Sequence, residues 1–270
     1  MPSFQVVSDL HLESPKAYDI FEIEPRAPYL ALLGDIGYIK HKEEYLGFIL
    51  KHLRLFRIVF LILGNHEPWH SNWDDSKAVM REFEKTNHEE RAKDAKLGQF
   101  VFLDRSSYCF HDETNGPVTV LGCTLFSRVP EYSMQDVSLG VKDFYNIDSW
   151  TVEEHSSTFE QDLAWLNNEV QSLQGAGHKV VIFTHHSPTL DKRALDPRHK
   201  DSPIISGFAT DLSAQPCRTS SSVKLWAFGH NHYNCDFVDE KTGTRLITNQ
   251  RGYYFKQSEN WDAEKVIVVN

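Results

Sequence analysis

The hydrophobic pattern of the chain consists of short apolar runs that end abruptly at polar clusters. The clearest case is the stretch Arg57–Glu67, in which an uncharged run after Arg57 stops at Gly64-Asn65-His66-Glu67. The run is short for a helix and rich in β-branched residues, so it predicts a strand that is buried on both faces. Ligands of open α/β sheets bind beyond the carboxyl ends of such strands, which makes the polar turn a candidate site.

Four further runs have the same form and are also predicted to be strands. They are residues 4–7 before Asp9 and His11, 29–33 before Gly34-Asp35, 180–183 before His185-His186, and 225–228 before His230 and His232. Apolar residues at helical spacing predict amphipathic helices over residues 41–56 and 152–173, and one or two surface helices over residues 72–96.

The remaining apolar runs predict short strands at residues 100–103, 108–111 and 118–121, a hairpin of 235–238 with 244–248, and a last strand at 265–269. Residues 125–150 and 189–222 have no clear period, and we interpret both as irregular loops inserted in the domain. We see no internal repeat and no linker, which favours a single domain over residues 1–270.

Composition restricts the class of protein. A hydrophobic content of 40% in 270 residues suits a globular domain with a sizeable core, and a net charge of −10 argues against polymeric nucleic acid as the main partner. No apolar run has membrane-spanning length, and the N-terminus lacks a secretion signal. The four cysteines follow no zinc or redox spacing, which is typical of reduced thiols in a cytoplasmic protein. The sequence does not indicate the oligomeric state.

The polar clusters contain the ligand types that a pair of divalent transition metals prefers. Carboxylate with imidazole and amide oxygen admits manganese, iron or zinc. In extended chain, residues two apart face the same side, so Asp9 with His11, and likewise His230 with His232, are predicted to share one ion. A carboxylate such as Asp35 can bridge two cations about 3.5–4 Å apart.

Each motif also has a purely structural interpretation. Asp9-x-His11 and Gly34-Asp35 are compatible with ordinary turns, and His185-His186 before Ser-Pro is compatible with a loop cap. The five clusters nevertheless occupy the same position relative to five strands, which favours one shared site.

The ordered set of motifs from Asp9 to His232 resembles the calcineurin-like metallophosphoesterase superfamily. The resemblance implies an α/β fold in which two mixed β-sheets pack as a sandwich flanked by helices. It implies one metal held by Asp9, His11 and His232, a second held by Asn65, His185 and His230, and a bridging Asp35. It also implies that His66 is catalytic and lies beside the scissile phosphate.

One departure from the superfamily pattern limits the substrate. Protein serine/threonine phosphatases of this superfamily follow Gly-Asp with x-Val-Asp-Arg-Gly, whereas this chain has Tyr38 and Ile39 at the aspartate and arginine positions. We therefore do not expect a protein phosphatase. The sequence does not identify the residue that orients His66. Glu67 is interpreted either as that residue or as a surface residue.

These observations predict a dinuclear phosphoesterase, most readily a phosphodiesterase for small linear or cyclic diesters. Hydroxide shared by two cations, with manganese favoured over iron or zinc, would attack phosphorus, and His66 would protonate the leaving oxygen. We expect Asn65, His66 and His186 to contact the substrate, and Trp69 to pack. No arginine adjoins the motifs, although Arg251 could fold back to them. A phosphomonoesterase, a metal-binding scaffold without catalysis, and a hydrolase of non-phosphate bonds remain alternatives.

Overall fold

The computed structural model describes residues 2–110, 116–175 and 177–269. Its strands are β1 (Ser3–Val7), β2 (Tyr29–Leu33), β3 (Ile58–Ile62), β4 (Gln99–Phe102), β5 (Ser106–Phe110), β6 (Val118–Cys123), β7 (Lys179–Thr184), β8 (Val223–Phe228), β9 (Asp236–Val238), β10 (Arg245–Thr248), β11 (Gly252–Tyr253), β12 (Lys256–Gln257) and β13 (Val266–Val268). Its α-helices are α1 (Lys42–Leu53), α2 (Trp73–Lys93), α3 (Met134–Gly140), α4 (Asp143–Asn146), α5 (Val152–Leu173) and α6 (Pro216–Thr219). The predicted strand 108–111 extends to His111, which lies outside the described residues.

Two mixed sheets form the centre of the fold. The first has the order β13-β1-β2-β3-β4, in which only the β13 pairing is antiparallel. The second has the order β5-β6-β7-β8-β10-β9, with antiparallel pairs at its two edges. Helix α1 contacts β3, α2 contacts β4, and α5 contacts β6. The predicted sandwich of two mixed sheets with flanking helices is therefore confirmed.

Alternation along the strands divides the core into two layers. On β3, Phe60 faces the other sheet, where its ring centroid lies 6.2 Å from that of Phe183, while Val59 and Leu61 belong to the cluster on the helix side. Every residue of β3 is buried, which explains why its sequence shows a continuous apolar run without alternation.

The parallel strands carry the candidate loops to one region of the molecule. Strands β1, β2 and β3 run parallel in the first sheet, and β7 and β8 run parallel in the second. Main-chain hydrogen bonds join loops that follow different strands, such as Asp9 N–H to Gly34 O at 3.0 Å and Gly229 N–H to His185 O at 2.9 Å.

Three sequence predictions need correction or refinement. The predicted region 72–96 contains a single helix, α2 (Trp73–Lys93), whose first turn is capped by the Asn72 side chain. Residues 125–150 are not irregular, because they contain α3, α4 and the 3-10 turn Glu131–Ser133. Residues 189–222 likewise contain α6 and the 3-10 turns Pro197–His199 and Ile205–Gly207. The helices α3, α4 and α6 and the 3-10 turns are too short for a helical period to show in the sequence.

In the described part of the chain, no helix combines the length and the apolar character that a bilayer crossing requires.

The packing between the sheets predicts a large effect for one aromatic side chain. Phe60 is fully buried among aromatic rings of both sheets, so Phe60→Ala should lower the free energy of unfolding by about 3–5 kcal/mol. Phe255→Ala is the matched control, because Phe255 is 91% exposed. Urea denaturation followed by circular dichroism measures both variants, and equal midpoints would contradict this packing.

Candidate metal centre

The loops after β1, β2, β3, β7 and β8 bring their polar side chains together. Their ligand atoms form three groups, and within each group all atoms lie within 4.8 Å of one another. We call Asp9, His11 and His232 the first cluster, and Asp35, His185 and His230 the second cluster. The third group, His11, Glu13 and His66, shares His11 with the first cluster.

The first cluster joins the loops after β1 and β8. His232 Nε2 lies 3.3 Å from Asp9 Oδ1 and 3.0 Å from His11 Nε2. Asp9 and His11 are buried, whereas the His232 side chain is 25% exposed. One carboxylate oxygen and two ring nitrogens thus converge at a spacing that suits a single cation.

The second cluster includes an unsatisfied ring nitrogen. His230 Nε2 is buried and has no hydrogen-bond partner among the described residues. Asn65 Oδ1 lies 3.0 Å from His185 Nε2 and adds an amide oxygen to the cluster. Buried polar atoms are almost always partnered, so an orphaned nitrogen beside other ligand atoms points to a bound group.

The Asp35 carboxylate lies between the two clusters. Its Oδ1 is 3.4 Å from His185 Nε2 in the second cluster, and its Oδ2 is 3.8 Å from His11 Nε2 in the first. Each oxygen therefore faces a different cluster, which is the arrangement that a bridging carboxylate requires.

The backbone of the ligand loops is left-handed, not extended as the sequence analysis expected. The residues with positive φ, between 48° and 75°, include Asp9, His11, Asp35, His230 and His232. The strands end before these residues, so the two-residue spacing brings side chains together through turns. Such conformations cost about 1–3 kcal/mol each for residues other than glycine, and they concentrate at functional sites.

Two glycines allow the loops after β2 and β3 to approach closely. A Cβ on Gly34, whose φ is +88°, would lie 2.6 Å from Gly64 N and would also overlap His185 Nδ1. A Cβ on Gly64 would overlap the Asp35 carboxylate and lie 2.5 Å from the Asp35 amide nitrogen. Glycine is therefore required at both positions.

Glu67 joins the same two loops. Its carboxylate accepts hydrogen bonds from the amides of Gly64, Ile36 and Asp35 at 2.7, 2.8 and 3.0 Å, and from the Tyr45 hydroxyl at 3.1 Å. Burial raises the pKa of Glu67 to about 7, although these hydrogen bonds oppose the shift. Glu67 is fully buried, and its described hydrogen bonds go to these groups and not to the candidate catalytic histidine. Both earlier interpretations of Glu67 are therefore wrong.

Burial sets the protonation states of the clusters. It lowers the pKa of His11 and of His185 to about 4, and that of His230 well below its usual value. These imidazoles are neutral at pH 7, which is the form that binds metals. Burial and the charges of three neighbouring carboxylates, Glu67, Asp9 and Glu13, raise the pKa of Asp35 well above its usual range. A divalent cation beside Asp35 would offset that repulsion.

The His66 ring is held from several directions. Its Nδ1 lies 3.0 Å from Glu13 Oε1, and its ring stacks on Trp69 with centroids 3.9 Å apart. Its Nε2 lies 3.4 Å from the Tyr253 hydroxyl and 4.0 Å from Asp35 Oδ2. Trp69 thus packs as expected, and His66 turns Nε2 towards the clusters.

Glu13 is a site residue that the sequence analysis missed. Its Oε1 also lies 3.1 Å from His11 Nδ1, and its side chain is 1% exposed. Burial alone would raise its pKa, but hydrogen bonds from His11 and His66 hold the pKa at about 2. The signal was present, because Asp9, His11 and Glu13 follow one another at intervals of two residues.

A second missed feature is the role of the segment 249–253, which was considered only for Arg251 and which supports the loops of the first cluster. The amide of Gly252 donates to Asp9 O at 2.9 Å, and the amide of His232 donates to Gln250 Oε1 at 2.7 Å. The Tyr253 ring stacks on His11 with centroids 4.2 Å apart. The sequence signal of this segment was weak, because β11 and β12 have two residues each.

A third missed residue, Asp143, comes from the region predicted to be irregular. Its Oδ1 accepts hydrogen bonds from Asn65 Nδ2 at 2.8 Å and from Trp69 Nε1 at 3.0 Å. The first of these contacts turns Asn65 Oδ1 towards His185.

Two residues that were considered for substrate contact are buried among other side chains. His186 is fully buried, with its ring against Phe126 and His230, and neither ring nitrogen has a partner among the described residues. Arg251 donates from Nη1 to Leu10 O at 2.9 Å, and its guanidinium packs over the rings of Phe21 and Tyr254.

The donor set fits two divalent cations. Carboxylate oxygens, neutral ring nitrogens and one amide oxygen converge in two adjoining groups, and Asp35 faces both. Such a site can polarise an oxyanion and activate water for hydrolysis.

The chain is similar to known proteins in sequence pattern and in fold. The family model for calcineurin-like phosphoesterases matches residues 3–234. A phosphopantetheinyl hydrolase from Mycobacterium tuberculosis is similar in structure, with a TM-score of 0.65, 17% identity, and coverage of 93% of this chain and 90% of that chain. A dimetal phosphatase from Danio rerio has a TM-score of 0.54, 16% identity, and coverage of 92% and 86%. None of the curated proteins matches the sequence.

At these identities the solved structures show a shared fold, whereas the family model spans most of the chain. The chain therefore belongs to the calcineurin-like phosphoesterase family.

Proposed function

We propose that the protein is a dinuclear phosphoesterase that favours small linear or cyclic phosphodiesters. The observation that carries the proposal is the placement of Asp35, whose oxygens face the two clusters separately at 3.4 and 3.8 Å. The mixed oxygen and nitrogen donors suit manganese, with iron or zinc as the other choices. The proposed ligands are Asp9, His11 and His232 for one cation, Asn65, His185 and His230 for the other, and Asp35 for both.

Two such cations would supply Lewis acidity, which lowers the pKa of bound water and neutralises phosphoryl oxygens. The residues of the chain provide the remaining functions. Water that has released one proton to solvent would attack phosphorus through its oxygen as the bond to the leaving oxygen breaks, and the leaving oxygen would take a proton from His66 Nε2. The Tyr253 hydroxyl, 3.4 Å from the same nitrogen, is placed to donate a hydrogen bond to the phosphate.

The charge around the clusters supports a diester substrate. The described ion pairs of Asp9 and Asp35 involve histidines, and the Arg251 guanidinium packs over Phe21 at 4.7 Å. A phosphomonoester carries two negative charges and would gain from a further cation, whereas a diester carries one. The present arrangement is therefore better matched to a diester.

Exposed aromatic side chains begin at Tyr253, whose hydroxyl lies 3.4 Å from His66 Nε2. Tyr253, Tyr254 and Phe255 lie on the β11–β12 hairpin, with 42%, 48% and 91% of their surface exposed. Exposed aromatic rings beside a phosphate site can stack on an aryl group or a base. This surface supports substrates that carry an organic group on both sides of phosphorus.

The first prediction separates metal binding from proton donation. His66→Ala should keep both metals and lose about 10²–10⁴-fold in kcat, because general acid catalysis contributes that much. Asp35→Ala should lose metal as well as turnover, since its carboxylate faces both clusters. Elemental analysis by mass spectrometry and a manganese-supplemented assay measure the two properties.

The control for this pair is His199→Ala, which alters an exposed histidine on a 3-10 turn and should preserve metal content and turnover. Equal metal loss in His66→Ala and Asp35→Ala would remove His66 from the role of acid.

The second prediction concerns the substrate class. With manganese present, kcat/KM for bis(p-nitrophenyl) phosphate should exceed that for p-nitrophenyl phosphate by about tenfold or more, equivalent to about 1.4 kcal/mol of differential transition-state binding. Absorbance of the released nitrophenolate measures the hydrolysis of both substrates. A preference for the monoester would favour the phosphomonoesterase alternative.

A further inference from the structure

A single oxygen atom connects the first cluster with the candidate acid. Glu13 Oε1 lies 3.1 Å from His11 Nδ1 and 3.0 Å from His66 Nδ1. The two rings are 4.4 Å apart between centroids and inclined at 72°, so both can direct Nδ1 to the same oxygen. An ionised carboxylate accepts hydrogen bonds and does not donate, which means that both Nδ1 atoms carry hydrogen.

The opposite nitrogens of these rings point into the site. His11 Nε2 lies 3.0 Å from His232 Nε2 in the first cluster. His66 Nε2 lies 3.4 Å from the Tyr253 hydroxyl, on the side where the leaving group would stand. With Nδ1 protonated, neutral His11 presents the Nε2 lone pair that a metal needs. His66 meanwhile keeps Nε2 free to carry the proton that is transferred.

The surroundings of Glu13 do not suit a residue that merely fills space. Its side chain is 1% exposed, and in the described ion pairs its partners are the two histidines, with no lysine or arginine. Its second oxygen, Oε2, is buried without a hydrogen-bond partner among the described residues. A buried carboxylate is costly, so an apolar residue would be more stable at this position unless the carboxylate has a function.

We propose that Glu13 is a positioning residue that sets the tautomer and ring orientation of His11 and His66 together. The proposal rests on the proposed function, in which His66 Nε2 gives its proton to the leaving oxygen. Afterwards His66 is neutral, and its Nδ1–H still donates to Glu13. Glu13 thereby occupies the role of the aspartate that orients the histidine in protein phosphatases, a position at which this chain has Tyr38.

The test uses aryl methyl phosphodiesters with leaving groups that range from nitrophenol to unsubstituted phenol. Poor leaving groups depend on protonation and good ones do not. At saturating manganese, Glu13→Ala should therefore lose about 10²-fold or more in kcat with phenol and about tenfold or less with nitrophenol, in keeping with the usual range for acid catalysis. Glu13→Gln, which keeps the length and one acceptor oxygen, should restore part of the loss with phenol.

A second readout does not depend on activity. Calorimetric titration with manganese should show an affinity about 10–100-fold weaker at one site in Glu13→Ala, because partners of metal-ligating histidines contribute that much. Glu67→Gln is the matched control, since Glu67 is an equally buried glutamate that bonds to main-chain amides. Any loss of kcat in Glu67→Gln should be the same for all the leaving groups.

The outcomes separate this inference from the proposed function. Uniform loss across the series in Glu13→Ala, together with a steeper dependence in His66→Ala, would overturn the role of Glu13 and leave the phosphoesterase intact. A wild-type protein that binds manganese but hydrolyses none of the esters would overturn the proposed function itself. If Glu13→Ala does not fold, Glu13→Gln decides, and an unchanged phenol rate with unchanged manganese affinity would overturn the inference.

Discussion

Carboxylates that accept hydrogen bonds from the main chain of a neighbouring loop hold the candidate site together. The Glu67 carboxylate joins the loops after β2 and β3 by accepting hydrogen bonds from three main-chain amides. Asp9 accepts a hydrogen bond from the His230 amide at 3.1 Å. Asp35 accepts from the His66 amide at 2.8 Å. A hydrogen bond to a charged group contributes about 1.5–3 kcal/mol. That is comparable with the cost of about 1–3 kcal/mol for each left-handed ligand residue, so these bonds can offset the strain of the loops.

The same bonds concentrate negative charge in the interior. Asp9, Asp35, Glu13 and Glu67 are buried, while burial keeps the neighbouring histidine His185 neutral. Burial, and then the repulsion between these carboxylates, raises the pKa of Asp35 well above its usual range. Two divalent cations would compensate this charge, which links metal binding to the stability of the loops that form the site. Metal binding would therefore stabilise the loops by neutralising the buried carboxylates.

Much of the fold, and the residues that converge at the candidate site, could be predicted because the signals are local. A buried strand followed at once by Asp, Asn or His is visible in a few residues, and five such strands place their ends together. Contacts between distant residues left no local signal, as with Asp143 and Asn65, which are 78 positions apart, and Tyr253 and His66, which are 187 apart. The left-handed turns were missed because an Asp-x-His spacing does not reveal φ. Glu13 was missed although its spacing continues that motif.

The central claim is that two cations share Asp35 between the first and second clusters. Crystals grown with manganese and measured on both sides of the manganese absorption edge test it most directly. The account predicts two anomalous peaks about 3.5–4 Å apart, one among Asp9, His11 and His232 and the other among Asn65, His185 and His230, with Asp35 contacting both. A single peak, or a peak only between His11, Glu13 and His66, would contradict the account.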